Sequence, residues 1–297
     1  MAKRPYSEGS ADLTIRQGSF LEIDGIRTHY HDEGAGLPLV LLHGSGPGVS
    51  AWENWGNVIP HLAKNYRVIA LDMAGFGLTE CESEPSLNMK MWVGQLLGFL
   101  EALNVGPAVL VGNSFGGALS LAAALRQPEA VLGLVLMGTP AGQFEQTNAL
   151  SEGAAFEPSL ESMQAILERF PYDASVVTEA MVQKRYQMSL RHPGGAALRA
   201  LMPQSNDEAP RLVRGMPHEK LATIGQPVLL LHGREDSVIP MDVAVGAARH
   251  LPNSELHIFG KCGHWVQLEY PKAFVGLIRE FLNRHSLQEG PGERSCN

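Results

Sequence analysis

The sequence predicts an α/β fold: a mostly parallel central sheet with helices on both faces and an inserted helical segment. Three observations carry this. Six short apolar runs recur along the chain without polar alternation, each closing on Gly, His or Asp. Stretches of helical periodicity separate them. One long interval, between Gly138 and Pro227, contains no strand-like run and reads as helical.

Taken in order, residues 1–18 read as a loose leader. Residues 20–31 contain Asp24-Gly25, a hairpin turn signal between two strand-like stretches that would add antiparallel edge strands. The apolar runs are residues 39–42, 68–71, 109–111, 134–137, 228–231 and 256–259. Lacking alternation, all six are expected to be strands covered on both faces. Helical spacing occupies 52–63, 89–103, 115–126, 243–250 and 274–284. Strand then helix, repeated, builds parallel crossovers. Within the long interval, 160–170 and 174–190 have helical spacing, and Pro193, Pro203, Pro210 and Pro217 punctuate the rest. The expected organisation is a core formed by 18–140 and 218–286, a helical cap at 141–217, and flexible tails at 1–17 and 287–297. No internal repeat is present.

Composition narrows the function classes. The chain has 297 residues, 44% apolar and 18% charged, which excludes a disordered chain. Its 32 glycines have no three-residue period, which excludes a collagen-like chain. A net charge of −8 argues against nucleic acid as the main partner, and no run of like charges forms a tail. Cys81, Cys262 and Cys296 are too scattered for a disulfide framework or a cysteine-rich zinc site, and their odd number fits a reducing compartment. The N-terminal segment has no apolar signal region, and no apolar stretch approaches the ~20 residues of a membrane span. A cytoplasmic location is therefore expected, with no membrane partner, no metal and no organic cofactor.

Gly112-Asn113-Ser114-Phe115-Gly116 is a G-x-S-x-G elbow placed after a strand and at the start of a helix. The glycines permit a sharp turn and close strand–helix approach, and Ser114 then stands at a helix N-terminus that favours developing negative charge. A lone serine needs a base, and the base needs an orienting acid. In this arrangement the chain order is Ser, acid, His. Asp236 follows the run at 228–231, and His264 follows the last run, both in loops at strand carboxyl ends. Glu235 is the neighbouring rival to Asp236. His43 and His232 end buried strands and read as structural. Acyl-type chemistry also needs donors for an oxyanion. The Phe115 backbone N–H is one, and Ser45 N–H, in His43-Gly44-Ser45-Gly46-Pro47-Gly48, is the expected second.

Together these segments resemble the α/β-hydrolase superfamily. The set His43-Gly44-Ser45-Gly46-Pro47-Gly48, Gly112-Asn113-Ser114-Phe115-Gly116-Gly117 and Lys261-Cys262-Gly263-His264-Trp265 resembles, more narrowly, the meta-cleavage product hydrolases, 2-hydroxymuconic semialdehyde hydrolase-like. These cut carbon–carbon bonds during aromatic ring degradation. The resemblance covers about residues 18–284. It implies an α/β-hydrolase fold with an inserted helical cap, and substrates that are vinylogous 1,5-diketones ending in a 2-oxo acid. It also implies a homo-oligomer, a dimer or larger. Lys184-Arg185-Tyr186 resembles the family's second cap helix, so Arg185 is expected to grip the substrate carboxylate, with Arg191 the nearest rival. Asn113, Trp265, Gly44 and Gly46 are expected around the substrate. Phe144, Phe156, Leu160 and Phe170 are candidates for shaping the pocket. The implied reaction ketonises a dienol and then cleaves the carbon–carbon bond, with Ser114 either attacking directly or serving only an oxyanion site. Two rivals are a carboxylesterase-type serine hydrolase and a non-catalytic ligand-binding receptor on the same fold.

Overall fold

The computed structural model describes residues 16–82, 86–192, 196–201 and 211–287. Most of both expected tails, Cys296, and Pro193, Pro203 and Pro210 lie outside those residues. The chain opens with the hairpin β1 (Ser19–Ile23) and β2 (Ile26–Glu33). Asp24 and Gly25 both have positive φ, 49° and 75°, as a two-residue turn of this kind requires. Next come β3 (Pro38–Leu42), α1 (Ala51–Trp55), α2 (Ile59–Leu62), β4 (Arg67–Leu71) and the short β5 (Glu80–Cys81). They are followed by α3 (Met89–Ala102), β6 (Ala108–Asn113), α4 (Phe115–Arg126) and β7 (Val131–Met137). The long interval then contains β8 (Gln143–Glu145), α5 (Asn148–Ala154), α6 (Leu160–Leu167), α7 (Glu179–Ser189), α8 (Ala196–Leu201) and β9 (Leu212–Arg214). The chain finishes with α9 (His218–Leu221), β10 (Val228–Gly233), α10 (Met241–His250), β11 (Ser254–Phe259), α11 (Val266–Glu269) and α12 (Pro271–Arg284).

The main sheet runs β1-β2-β4-β3-β6-β7-β10-β11, with β5 paired to β2. From β4 to β11 every pairing is parallel; β1 and β2 are antiparallel. The two-residue period of the strands sorts their side chains into two cores. Val40, Leu42, Ile69, Leu71, Leu110 and Leu134 point to the layer of α3, α4 and α10. Leu39, Leu41, Val68, Val109, Val135 and Leu229 point to the layer of α1, α2 and α12. The unbroken apolar runs are thus explained by burial on both faces.

Four expectations are corrected. The last run is an edge strand rather than a doubly covered one, because among the described residues β11 pairs only with β10 and leaves His257 and Ile258 exposed. The helix expected over 52–63 is two short helices, since Pro60, near the start of α2, supplies no amide to continue the first. The helix expected over 174–190 starts at Glu179, where the Thr178 hydroxyl caps Met181 N. The long interval does contain strands: β8 and β9 pair antiparallel at its two ends. Each is three residues long, too short for a periodic signal. Among the described residues no helix is long and apolar enough to cross a membrane.

Candidate active site

The carboxyl ends of β3, β6, β10 and β11 lie along one side of the sheet, and each delivers one part of the site. The turn after β6 is the tightest. Ser114 has φ 51° and ψ −111°, a left-handed conformation that costs a non-glycine residue energy. The fold holds it there: Ser114 N donates to Met137 O of the neighbouring strand at 2.8 Å. The flanking glycines are required by space. A side chain at Gly112 would strike the Gly116 backbone, and one at Gly116 would strike the Leu42 and His43 carbonyls. The Phe115 side chain turns into the core against Trp92 and Phe76, so only its backbone belongs to the site.

His264 Nδ1–H donates to Asp236 Oδ2 at 2.7 Å, and both residues are buried. Asp236 Oδ1 accepts Val238 N at 2.8 Å and Ile239 N at 2.9 Å. Burial alone would raise its carboxyl. His264, His232 and the backbone amides outweigh burial and hold it below the ordinary carboxylate value. The neighbouring Glu235 instead faces Arg234 and accepts Cys262 N at 3.1 Å. His232 donates from Nε2 to Ile239 O at 2.9 Å, and burial lowers its pKa. His43 accepts Met73 N at Nε2 (3.0 Å) and donates from Nδ1 to Gly44 O (2.6 Å). Burial keeps it neutral, and it pins the turn that leads to Ser45.

Ser114 and His264 line one narrow cavity of about 40 Å³, together with Gly44, Ser45, Gly46 and Asn113. Arg185, Trp265 and Phe170 line it as well, and Ala149, Leu150 and Val238 form an apolar stretch of its wall. Among the described residues, the amides of Ser45 and Phe115 have no acceptor, whereas Gly44 N is taken by Asn54 Oδ1 at 3.2 Å. A second cavity of about 280 Å³ shares Ser45, Gly46, Pro47 and Val49 as lining and is walled partly by Phe156, Met188 and His192. Phe144 is in the core and Leu160 packs with α6 and α7; neither lines these two spaces.

Arg185 reaches the cavity from α7. It is 4% exposed, its Nε is buried without a hydrogen-bond partner, and it makes no ion pair among the described residues. Its guanidinium carbon lies 5.9 Å from the centroid of the Trp265 ring. Burial lowers its pKa to about 10, with Glu53 pulling the other way. Arg191, its sequence rival, is exposed beside Glu80 at 3.9 Å. Asn54 also lines the cavity, and its Nδ2 is buried without a partner. Nothing in its sequence context marks it, because its position follows from the packing of α1 under the β3 turn. Chemically the cavity offers a hydroxyl at a helix N-terminus, an imidazole backed by a carboxylate, the Ser45 amide and a cation with no ion pair among the described residues. No group of three His, Cys, Asp or Glu among the described residues is placed to hold a metal ion.

Residues 39–277 match the alpha/beta hydrolase family. The chain is 42% identical over 265 residues to 2-hydroxymuconate semialdehyde hydrolase of Pseudomonas sp. (strain CF600), covering 87% of this chain and 91% of that protein. It is also 42% identical over 269 residues to 2-hydroxy-6-oxo-2,4-heptadienoate hydrolase of a Pseudomonas putida strain, covering 89% and 96%. The solved meta-cleavage product hydrolase of Pseudomonas fluorescens IP01 superposes with a TM-score of 0.84 at 38% identity, covering 90% of this chain and 98% of that one. With an elbow serine, a carboxylate-backed histidine and this breadth of similarity, the chain belongs to the α/β-hydrolase family and, within it, to the meta-cleavage product hydrolases.

Proposed function

We propose that this chain hydrolyses a carbon–carbon bond in a 2-hydroxy-6-oxo-dienoate, giving a 2-hydroxydienoate and a carboxylic acid. Residues 141–217 act as the cap over a core formed by 18–140 and 218–286. The observation that carries the reading is Arg185: a buried guanidinium with no ion pair among the described residues, facing the cavity that Ser114 and His264 share. An ester needs no such group, whereas a dienoate brings the carboxylate that pairs with it.

In this reading Arg185 binds the carboxylate, with Asn113, Trp265, Gly44 and Gly46 around that end of the substrate. His264 moves the proton that converts the dienol to its keto form. It then takes the Ser114 proton as the oxygen adds to the 6-carbonyl carbon, and the amides of Ser45 and Phe115 hold the oxyanion. The carbon–carbon bond breaks, its electron pair stays with the dienoate fragment, and His264 returns the proton. Water, deprotonated by His264, releases the acid from Ser114. Arg185 is the one fixed positive charge among the described lining residues, and the wall at Ala149, Leu150 and Val238 is apolar. That favours substrates with one carboxylate and a small uncharged acyl substituent. A second carboxylate would be buried without a partner.

The test is a stopped-flow trace with 2-hydroxymuconic semialdehyde and its 6-phenyl analogue. Loss of the dienolate colour with release of 2-hydroxypentadienoate is expected, faster for the smaller compound. An acyl-enzyme trapped on quenching supports attack by Ser114; its absence assigns Ser114 to the oxyanion site. Turnover of p-nitrophenyl acetate with neither dienoate cleaved would establish an esterase instead. We also infer a cytoplasmic homo-oligomer, for which the free thiols of Cys81 and Cys262 suit a reducing compartment. Light scattering tests the assembly.

A further inference from the structure

The groups expected to act on one substrate come from distant parts of the chain. Arg185 lies in the insertion, while Asp236 and His264 hang from β10 and β11. The five residues 169–173, between α6 and α7, cross both core loops. Ser237 Oγ donates to Arg169 O at 2.8 Å, one residue from Asp236. His264 N donates to Phe170 O at 2.7 Å. The Phe170 ring stacks on Trp265, with centroids 4.7 Å apart and planes 8° from parallel. Gly263 lies so close to Phe170 O and Pro171 that a side chain there would collide with both.

Glu269, at the end of α11, joins these parts. Its Oε1 accepts Gly263 N at 2.8 Å, next to His264, and the Cys262 thiol at 3.6 Å. Its Oε2 accepts Tyr172 N at 2.8 Å and Asp173 N at 3.4 Å. One oxygen therefore serves the histidine loop and the other serves the crossing segment. An ionised carboxylate has acceptors on both oxygens, whereas a glutamine has one acceptor oxygen and would turn an NH₂ against a backbone N–H.

We infer that Glu269 is a positioning residue that locks the inserted segment to the catalytic histidine loop, and so fixes the register between the Arg185 guanidinium and the Ser114–His264 pair. Its loss penalises a substrate that must engage both groups at once. A small ester needs only the serine and histidine, and loses less.

The experiment compares wild type, Glu269→Gln and Glu269→Asp. Hydrogen exchange on the ligand-free enzyme is expected to speed up in both segments, 169–176 and 260–266, in Glu269→Gln. Glu269→Asp, one methylene too short to span the gap, is expected not to rescue. With 2-hydroxymuconic semialdehyde, kcat/KM is expected to fall about tenfold or more, mainly through KM, and by at least about threefold more than kcat/KM for p-nitrophenyl acetate. Equal losses on both substrates, with faster exchange at 260–266 alone, would overturn the inference and reduce Glu269 to a support of the histidine loop. Unchanged exchange in both segments would also overturn it. The kinetic arm rests on the dienoate reading above. If wild type fails to cleave the dienoate, that reading fails while the exchange arm still decides the role of Glu269.

Discussion

Replacing Arg185 with methionine is expected to stabilise the protein and disable it at once. The guanidinium is 4% exposed and lacks an ion-pair partner among the described residues. Burial lowers its pKa well below the ordinary guanidinium value, to about 10. At neutral pH the arginine is charged in both the folded and the unfolded chain, so the whole depression counts against folding. A depression of that size corresponds to about 3 kcal/mol. Methionine has a similar length and needs no partner, so Arg185→Met is expected to raise Tm by about 5 °C for a chain of this size. Activity moves the other way. A substrate carboxylate buried without its cation loses about 3–5 kcal/mol, so kcat/KM for the semialdehyde falls about 10²–10⁴-fold. Hydrolysis of p-nitrophenyl acetate, which carries no carboxylate, stays within about threefold on the same reasoning. Scanning calorimetry and stopped-flow absorbance on the same preparation read both effects. A lower Tm would mean that the fold itself supplies Arg185 with a partner. An unchanged kcat/KM would mean that another group grips the carboxylate.

Ser114→Ala is expected to abolish turnover of both dienoate and ester. Ser114→Gly, equally inactive, is expected to raise stability by about 1 kcal/mol in urea titration by relieving the positive φ. Asp236→Asn leaves one acceptor oxygen where two now serve His264 and the amides of Val238 and Ile239, and kcat is expected to fall about 10³–10⁴-fold in steady-state assays. Stability is expected to decline as the pH falls from about 6.5 towards 4. Burial lowers the pKa of His31 (to about 4), His43 and His232, so in that window the unfolded chain binds protons that the folded chain refuses. Each contributes a slope of up to about 1.4 kcal/mol per pH unit, read from urea midpoints at pH 7 and pH 5. Equal midpoints would refute it. Asp72 and Asp236, whose folded pKa values are depressed, add their own loss only below the ordinary carboxylate range.

The parallel core is legible in the sequence because double-sided burial erases alternation: 39–42, 109–111 and 228–231 have no polar position to spare. The run at 256–259 misleads for a related reason. His257 and Ile258 face outward, but the exposed edge is shielded by charge instead, with Glu255 paired to Arg284 at 2.8 Å and His285 at 3.1 Å. At the site, Ser114 is visible because steric demands force glycines around it. Asp236 and His264 are visible because each ends a recognisable strand. Asn54 and Glu269 leave no local trace. What they do is set by partners distant in sequence, Gly44 for one and Tyr172 for the other, and only the packed fold brings these together.

The cavity gathers the local choices that a fold ordinarily avoids. Ser114 holds a left-handed backbone, and among the described residues Arg185 is a buried charge with no ion pair and Asn54 Nδ2 a buried donor without an acceptor. Each is unfavourable by itself, and each borders the same space. Similar costs occur elsewhere, at the left-handed Asp24, Asn104 and Lys261 and at the buried Trp55 Nε1 and Arg279 Nε, but at the cavity the two polar ones stand where, on the reading proposed above, a bound anion relieves them. The sheet makes this tolerable. Its strands pair in register from Leu42 through Gly112 and Leu136, so the residues that end them are fixed by hydrogen bonds they do not themselves supply. Arg185 has no such support. It hangs from an insertion joined to the core at Ser237, His264 and Glu269, and on the reading proposed above the substrate carboxylate supplies its partner. A ligand that pairs with Arg185 therefore stabilises the insertion against the core as well as the charge itself. A carboxylate-bearing product analogue should accordingly raise Tm in wild type and slow exchange across 169–176, and should do neither in Arg185→Met. A gain that survives the substitution would show that binding energy enters the fold by some route other than this guanidinium.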